Sequence, residues 1–156
     1  MWFLLPLLFL LSAKSFSALS TKDMVKMDHS AETVLHPGET KGAKITLTVV
    51  EGLHVQSNPA SQPNLIPTTL KVQPKGTIEV GSPSYPVGKP YRLEGATHDI
   101  MTYDGTFEIT IPITANPNAG PSKIQLSGTV RYQACNPKTC FFPTTLPIKI
   151  PVRIEK

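Results

Sequence analysis

The chain has 156 residues, a formal net charge of +4, sixteen prolines and only two cysteines. That length supports one domain with a proper core. The basic residues are scattered rather than clustered, which argues against a nucleic-acid groove and for a solvated surface.

Trp2 to Leu11 is almost wholly apolar, broken by Pro6 and followed by the small and polar run Ser12 to Ala18. This reads as a secretory signal peptide over residues 1–17, cleaved after Ser17 with Ser20 as the alternative, because the apolar run is too short to span a bilayer. The domain is then 18–156, in the periplasm or secreted, where disulfides form and persist. Met24, Val25 and Met27 suggest a weak first strand.

From residue 43 onward, alternation with period two dominates. Ile45, Leu47 and Val49 alternate with Lys44, Thr46 and Thr48, and Phe107 to Ile113 follows the same rule. Two further stretches, Ile124 to Tyr132 and Leu146 to Ile154, continue it. Such segments put one face in a core and the other in water. Turn formers separate them, at His36-Pro37-Gly38, Gln73 to Gly76, Tyr103-Asp104-Gly105 and Asn116 to Pro121. The pattern predicts an all-β, immunoglobulin-like two-sheet β-sandwich. Pro112, Pro147 and Pro151 fall on outward positions, so the last strand reads as an edge.

Cys135 and Cys140 stand at the feet of a hairpin whose turn is Asn136-Pro137-Lys138-Thr139. Strands are expected on both sides, Gly128 to Cys135 and Cys140 to Ile154. Opposed residues of an antiparallel pair lie close enough for a disulfide after a small adjustment. Closing a loop of about six residues stabilises by roughly 2 kcal/mol, against nearly 5 for a loop of about a hundred. A hairpin tip is a poor place for a sole staple and a good one for a thiol that other proteins must reach. On these grounds a redox pair and a plain staple stand level. Phe141 and Phe142 should point to opposite faces, leaving one beside the cysteines as a docking contact or as edge packing. Tyr132 lies on the approach to the pair.

The four histidines, His29, His36, His54 and His98, do not follow the cysteines, and no methionine does either. Type I copper needs both, so no metal or other cofactor is expected. Met24, Met27 and His29 would bind copper only as a loose arm, and an ordinary chain end is the simpler reading. His54 reads as a hydrogen-bonded structural histidine. No serine elbow, phosphate loop or catalytic carboxylate pair is present.

The run Tyr132-Gln133-Ala134-Cys135, with Cys140 and Pro143, resembles the active-site hairpin of the periplasmic N-terminal domain of DsbD-type thiol:disulfide interchange proteins. Gly52 to Pro59, Pro67 to Leu70, Tyr85-Pro86 and Tyr103-Asp104-Gly105 resemble the family in the same order, so the likeness covers roughly residues 30 to 154. It implies an immunoglobulin-like sandwich acting as a monomeric electron relay. A separate membrane thiol reductase would supply the electrons, and thioredoxin-like periplasmic proteins would receive them. By the same resemblance Cys140 forms the mixed disulfide and Cys135 resolves it. A cap loop would match about His98 to Gly105, with Asp99, Tyr103 and Asp104 as its candidate residues and Phe141, Phe142 and Tyr132 as docking candidates. The sequence departs from the family in having four residues between the cysteines, where well-known members have five, and in having its cap carboxylates apart. The rival reading is a secreted binding module whose Cys135–Cys140 bond only pins a hairpin.

Overall fold

A computed structural model describes residues 23–28 and 30–156. The signal segment, its cleavage site and His29 lie outside the described residues. Twelve strands run in chain order: β1 (Val25–Met27), β2 (Thr33–Leu35), β3 (Thr40–Val49), β4 (His54–Gln56), β5 (Thr69–Val72), β6 (Ile78–Val80), β7 (Lys89–Tyr91), β8 (Ile100–Tyr103), β9 (Thr106–Ala115), β10 (Ser122–Tyr132), β11 (Ala134–Cys135) and β12 (Thr144–Ile154).

They form three four-stranded sheets, ordered β1-β3-β9-β6, β2-β12-β10-β5 and β11-β4-β8-β7. The first two make the expected immunoglobulin-like sandwich, and alternation explains why. Ala43, Ile45, Leu47 and Val49 of β3 and the odd-numbered residues Phe107 to Ala115 of β9 enter one apolar cluster. Leu126, Val130 and Tyr132 of β10 meet them there, with Ile148, Ile150, Val152 and Ile154 of β12. Their partners in the alternation are partly or fully exposed. Each fully buried Ile or Leu contributes about 1.5–3 kcal/mol, so the sandwich carries most of the stability.

Three expectations need correction. Strand β12 is not a simple edge, since β2 pairs with it in parallel at Val152–Ile154. Only its earlier part, which holds Pro147 and Pro151, lacks a second neighbour, and that is where missing N–H groups cost least. The hairpin strands are not continuous either. The chain leaves the second sheet at Gln133, enters the third as β11, and rejoins the second only at Thr144. The amino-terminal segment is no loose arm: β1 pairs with β3, Met24 is buried and Met27 packs on the core.

The third sheet is the addition the alternation did not announce. Its strands run two to four residues and join the sandwich by one face. Val55 and Tyr103, opposed across β4 and β8, belong to the core cluster, as does Ala134, opposed to Val55 on the other side. The opposite face of this small sheet holds the cysteine pair.

Candidate functional site

Side chains of opposed strand residues lie on one face, and so do residues two apart. Cys135 opposes His54, so Cys135, His54 and Gln56 share the face turned away from the core. Cys135 and Cys140 form a disulfide with Cα atoms 3.9 Å apart, and the two residues also form an isolated antiparallel bridge. The turn between them is built as the sequence suggests. The Asn136 side-chain oxygen accepts from the amides of Lys138 and Thr139, each at 2.9 Å, and Asn136 N–H donates to the Thr139 carbonyl. These local bonds set the turn without help from the core.

The two cysteines differ in burial. Cys135 is 0% exposed, whereas Cys140 is partly exposed and lines two clefts. One cleft, of about 760 Å³, also takes in Asn64, Leu93, His98, Ile100 and Lys138. The other, of about 340 Å³, runs along Gln133 and Phe141 to Pro143. Phe142 is 90% exposed at its rim, and Phe141 packs against the core. The two rings therefore separate as expected, although they sit in the segment before β12 rather than on a strand.

Gln133 ties the surroundings together. Its amide nitrogen donates to the Phe141 carbonyl at 3.2 Å, and its side-chain oxygen accepts from Ile66 N–H at 3.0 Å. The hairpin's second leg and the 62–66 loop are thereby held against each other. On the far side, Glu94 N–H donates to the Pro137 carbonyl at 2.7 Å, anchoring the 92–99 connection to the hairpin tip. This contact with the tip lies before the expected cap at His98 to Gly105, half of which is strand β8, although His98 and Ile100 line the cleft beside Cys140.

The remaining cap candidates are engaged elsewhere. Tyr103 is buried, stacks on Phe107 with ring centroids 4.6 Å apart, accepts from Asn58 N–H and donates to the Pro86 carbonyl. Burial pushes its hydroxyl pKa up. Asp104 pairs with Lys89 at 2.8 Å, which lowers its pKa, and Asp99 pairs with Arg92 at 2.6 Å. Tyr132 is buried in the core, and burial raises its pKa too. Neither carboxylate has a hydrogen bond to a cysteine.

His54 is not the hydrogen-bonded histidine expected. Its ring stacks on Tyr91 with centroids 3.6 Å apart, and its buried Nδ1 has no protein partner. Burial lowers its pKa; Lys89 lowers it further and Asp104 opposes the shift. His36 bonds to the carbonyl of Lys156, 120 positions away, and His98 to the hydroxyl of its neighbour Thr97. Among the described residues no group of three or more His, Cys, Asp or Glu could hold a metal ion. No helix there is long and apolar enough to cross a membrane.

The residue that sequence reasoning missed is Gln56. Its amide nitrogen lies 3.1 Å from Cys135 Sγ and 3.8 Å from Cys140 Sγ, and the residue is 0% exposed. Its main chain is fixed on three sides: N–H to the Gln133 carbonyl, and carbonyl to both the amide and the hydroxyl of Thr68. The only available signal was a polar residue inside a short strand near the glycine–histidine segment, which does not by itself reveal a partner 79 positions away.

A family model described as the N-terminal domain of thiol:disulfide interchange protein DsbD matches residues 21–151. The reduced form of the Neisseria meningitidis DsbD N-terminal domain is similar at 17% identity and a TM-score of 0.45, over 70% of this chain and 75% of that one. A family 123 glycoside hydrolase from Clostridium perfringens is similar at 10% identity and a TM-score of 0.38, over 80% of this chain but only 22% of the hydrolase. No curated protein matches the chain.

Proposed function

The chain belongs to the family of DsbD N-terminal domains, and on that premise we propose that it relays electrons by thiol–disulfide exchange through Cys135 and Cys140. The observation carrying this reading is the asymmetry of the pair, with Cys135 buried and Cys140 partly exposed where it lines two clefts.

The asymmetry supports a division of roles. In the reductive half, a donor thiolate attacks Cys140 Sγ, the sulfur it can reach. A donor–Cys140 disulfide forms, the Cys135–Cys140 bond breaks, and Cys135 leaves as a thiolate. A second donor thiolate then releases Cys140, so the donor is oxidised and the pair reduced by two electrons. In the delivery half, Cys140 thiolate attacks the acceptor's disulfide, and Cys135 thiolate resolves the mixed disulfide from behind. Exchange depends on access and on thiolate fraction, and only Cys140 has the access. The donor in this reading is a membrane thiol reductase, and the acceptors are thioredoxin-like proteins of the periplasm. Phe142, exposed beside Cys140, supplies an apolar docking contact of the kind such partners bury.

Single-cysteine variants test the assignment. Cys135→Ala should accumulate a mixed disulfide with a thioredoxin-like protein, because nothing remains to resolve it. Cys140→Ala should accumulate little. Equal trapping by both variants, or trapping only by Cys140→Ala, overturns the order.

A further inference from the structure

Gln56 is a buried polar group with half its hydrogen-bonding capacity unused. Its amide nitrogen donates toward the two sulfurs, while its side-chain oxygen is buried and has no partner among the described residues. A buried acceptor left unpaired carries the full cost of its desolvation. A disulfide cannot relieve that cost, because it has no hydrogen to donate, and it repays the amide nitrogen poorly because its sulfurs are weak acceptors.

We propose that Gln56 is a positioning residue for the exchange, whose amide is matched to the reduced pair rather than to the disulfide. The proposal rests on the redox reading above. When an incoming thiolate breaks the Cys135–Cys140 bond, charge develops on Cys135 Sγ, the sulfur nearer the Gln56 amide. A hydrogen bond to an anion is shorter and stronger than one to a neutral sulfur, so the same N–H gains strength as that sulfur leaves. Once Cys135 takes a proton, its S–H supplies the donor that the Gln56 side-chain oxygen lacks. The thiolate thus strengthens a contact the disulfide already makes, and the thiol adds one that the disulfide does not have.

The backbone gives the amide little freedom to do otherwise. Bonds to Gln133 and Thr68 hold Gln56 in place, and Thr102, its opposed residue on β8, is buried beside it. With its backbone fixed this way, the residue has only side-chain freedom left to lose on meeting the sulfurs.

The consequence is directional. Contacts made only by the dithiol favour reduction, so removing them should move the equilibrium toward the disulfide. The test equilibrates the oxidised protein with glutathione, where two glutathione thiols give two electrons and two protons to the pair and become one glutathione disulfide. Gln56→Met, which keeps the volume and removes the amide, should shift the equilibrium constant toward the protein disulfide on the order of tenfold, equivalent to about 30 mV. Gln56→Asn, which withdraws the amide by one methylene, should shift it in the same direction. Urea unfolding of the oxidised variants separates this from loss of fold, since a purely structural role would move the unfolding midpoint and leave the redox constant unchanged. A redox constant within about twofold of the wild type, in either folded variant, overturns the proposal. If neither variant folds, the S–H infrared band of Cys135 in Cys140→Ala decides: displacement from the band of an unbonded thiol is expected, and an undisplaced band overturns it. A wild-type potential in the range of inert structural disulfides would sink the relay itself, whatever the variants do; a higher wild-type potential with unmoved variants would sink only the role of Gln56.

Discussion

The sandwich and the small third sheet are built on opposite principles. In the sandwich, four strands of ten or eleven residues alternate over most of their length, and their fully buried residues are hydrophobic. In the third sheet the strands are short, and the four buried polar residues among those described, Gln56, Ser57, Thr68 and Thr102, lie in it or against it. Buried polar groups are costly unless hydrogen-bonded, so a region that gathers them is not optimised for stability alone. The contrast teaches a division of labour: the sandwich holds the fold, and the small sheet, anchored to it by Val55, Tyr103 and Ala134, presents a polar and sulfur-bearing face. Changes in one region should therefore be visible in properties that changes in the other leave alone.

The largest effect should come from the sandwich. Leu47 is fully buried in the second half of β3, and Leu47→Ala should cost about 2–5 kcal/mol by urea unfolding. The redox constant of the folded variant should match the wild type. A changed redox constant would mean that the two regions are mechanically one.

A smaller effect is expected at the seam. Gln133→Ala removes the bonds to Phe141 and Ile66, each worth about 0.5–1.5 kcal/mol. It also loosens two segments beside Cys140, so alkylation of the reduced protein at that residue should accelerate severalfold. Unchanged alkylation would show that Gln133 serves the fold only.

The smallest effect belongs to His54. Its folded pKa lies below the ordinary value, chiefly through burial. The unfolded chain therefore binds more protons as the pH falls, so the neutral ring's contribution is present above about pH 6.5 and fades below it, toward the folded value. His54→Phe keeps a ring for Tyr91 to stack on and removes the titration. Its urea midpoint should fall less than the wild type's on going from about pH 7.5 to about pH 5.5. Equal falls would place the acid sensitivity elsewhere.

What the sequence disclosed follows the same division. Phe107 to Ile113 and Ile148 to Ile154 announce their strands because alternation over many residues is a period that can be counted. The third sheet is silent by that criterion. β4 runs His54–Gln56 and leads straight into buried Ser57, so Val55, Gln56 and Ser57 are buried in succession, and β11 is only Ala134–Cys135. Two or three residues cannot show a period, and their burial comes from elements distant in sequence. The hairpin turn was legible because Asn136 makes its bonds locally. The contact of the 92–99 connection with the hairpin tip was not, since Glu94 meets Pro137 only through the fold. Gln56 was missed for the same reason.

The measurement that bears most directly on the account is the reduction potential of the wild-type pair, read from equilibrium with glutathione. An exchange-competent pair should lie above about −300 mV, within reach of thioredoxin-like partners. A value below that, in the range of inert structural disulfides, would make Cys135–Cys140 a staple and contradict the relay.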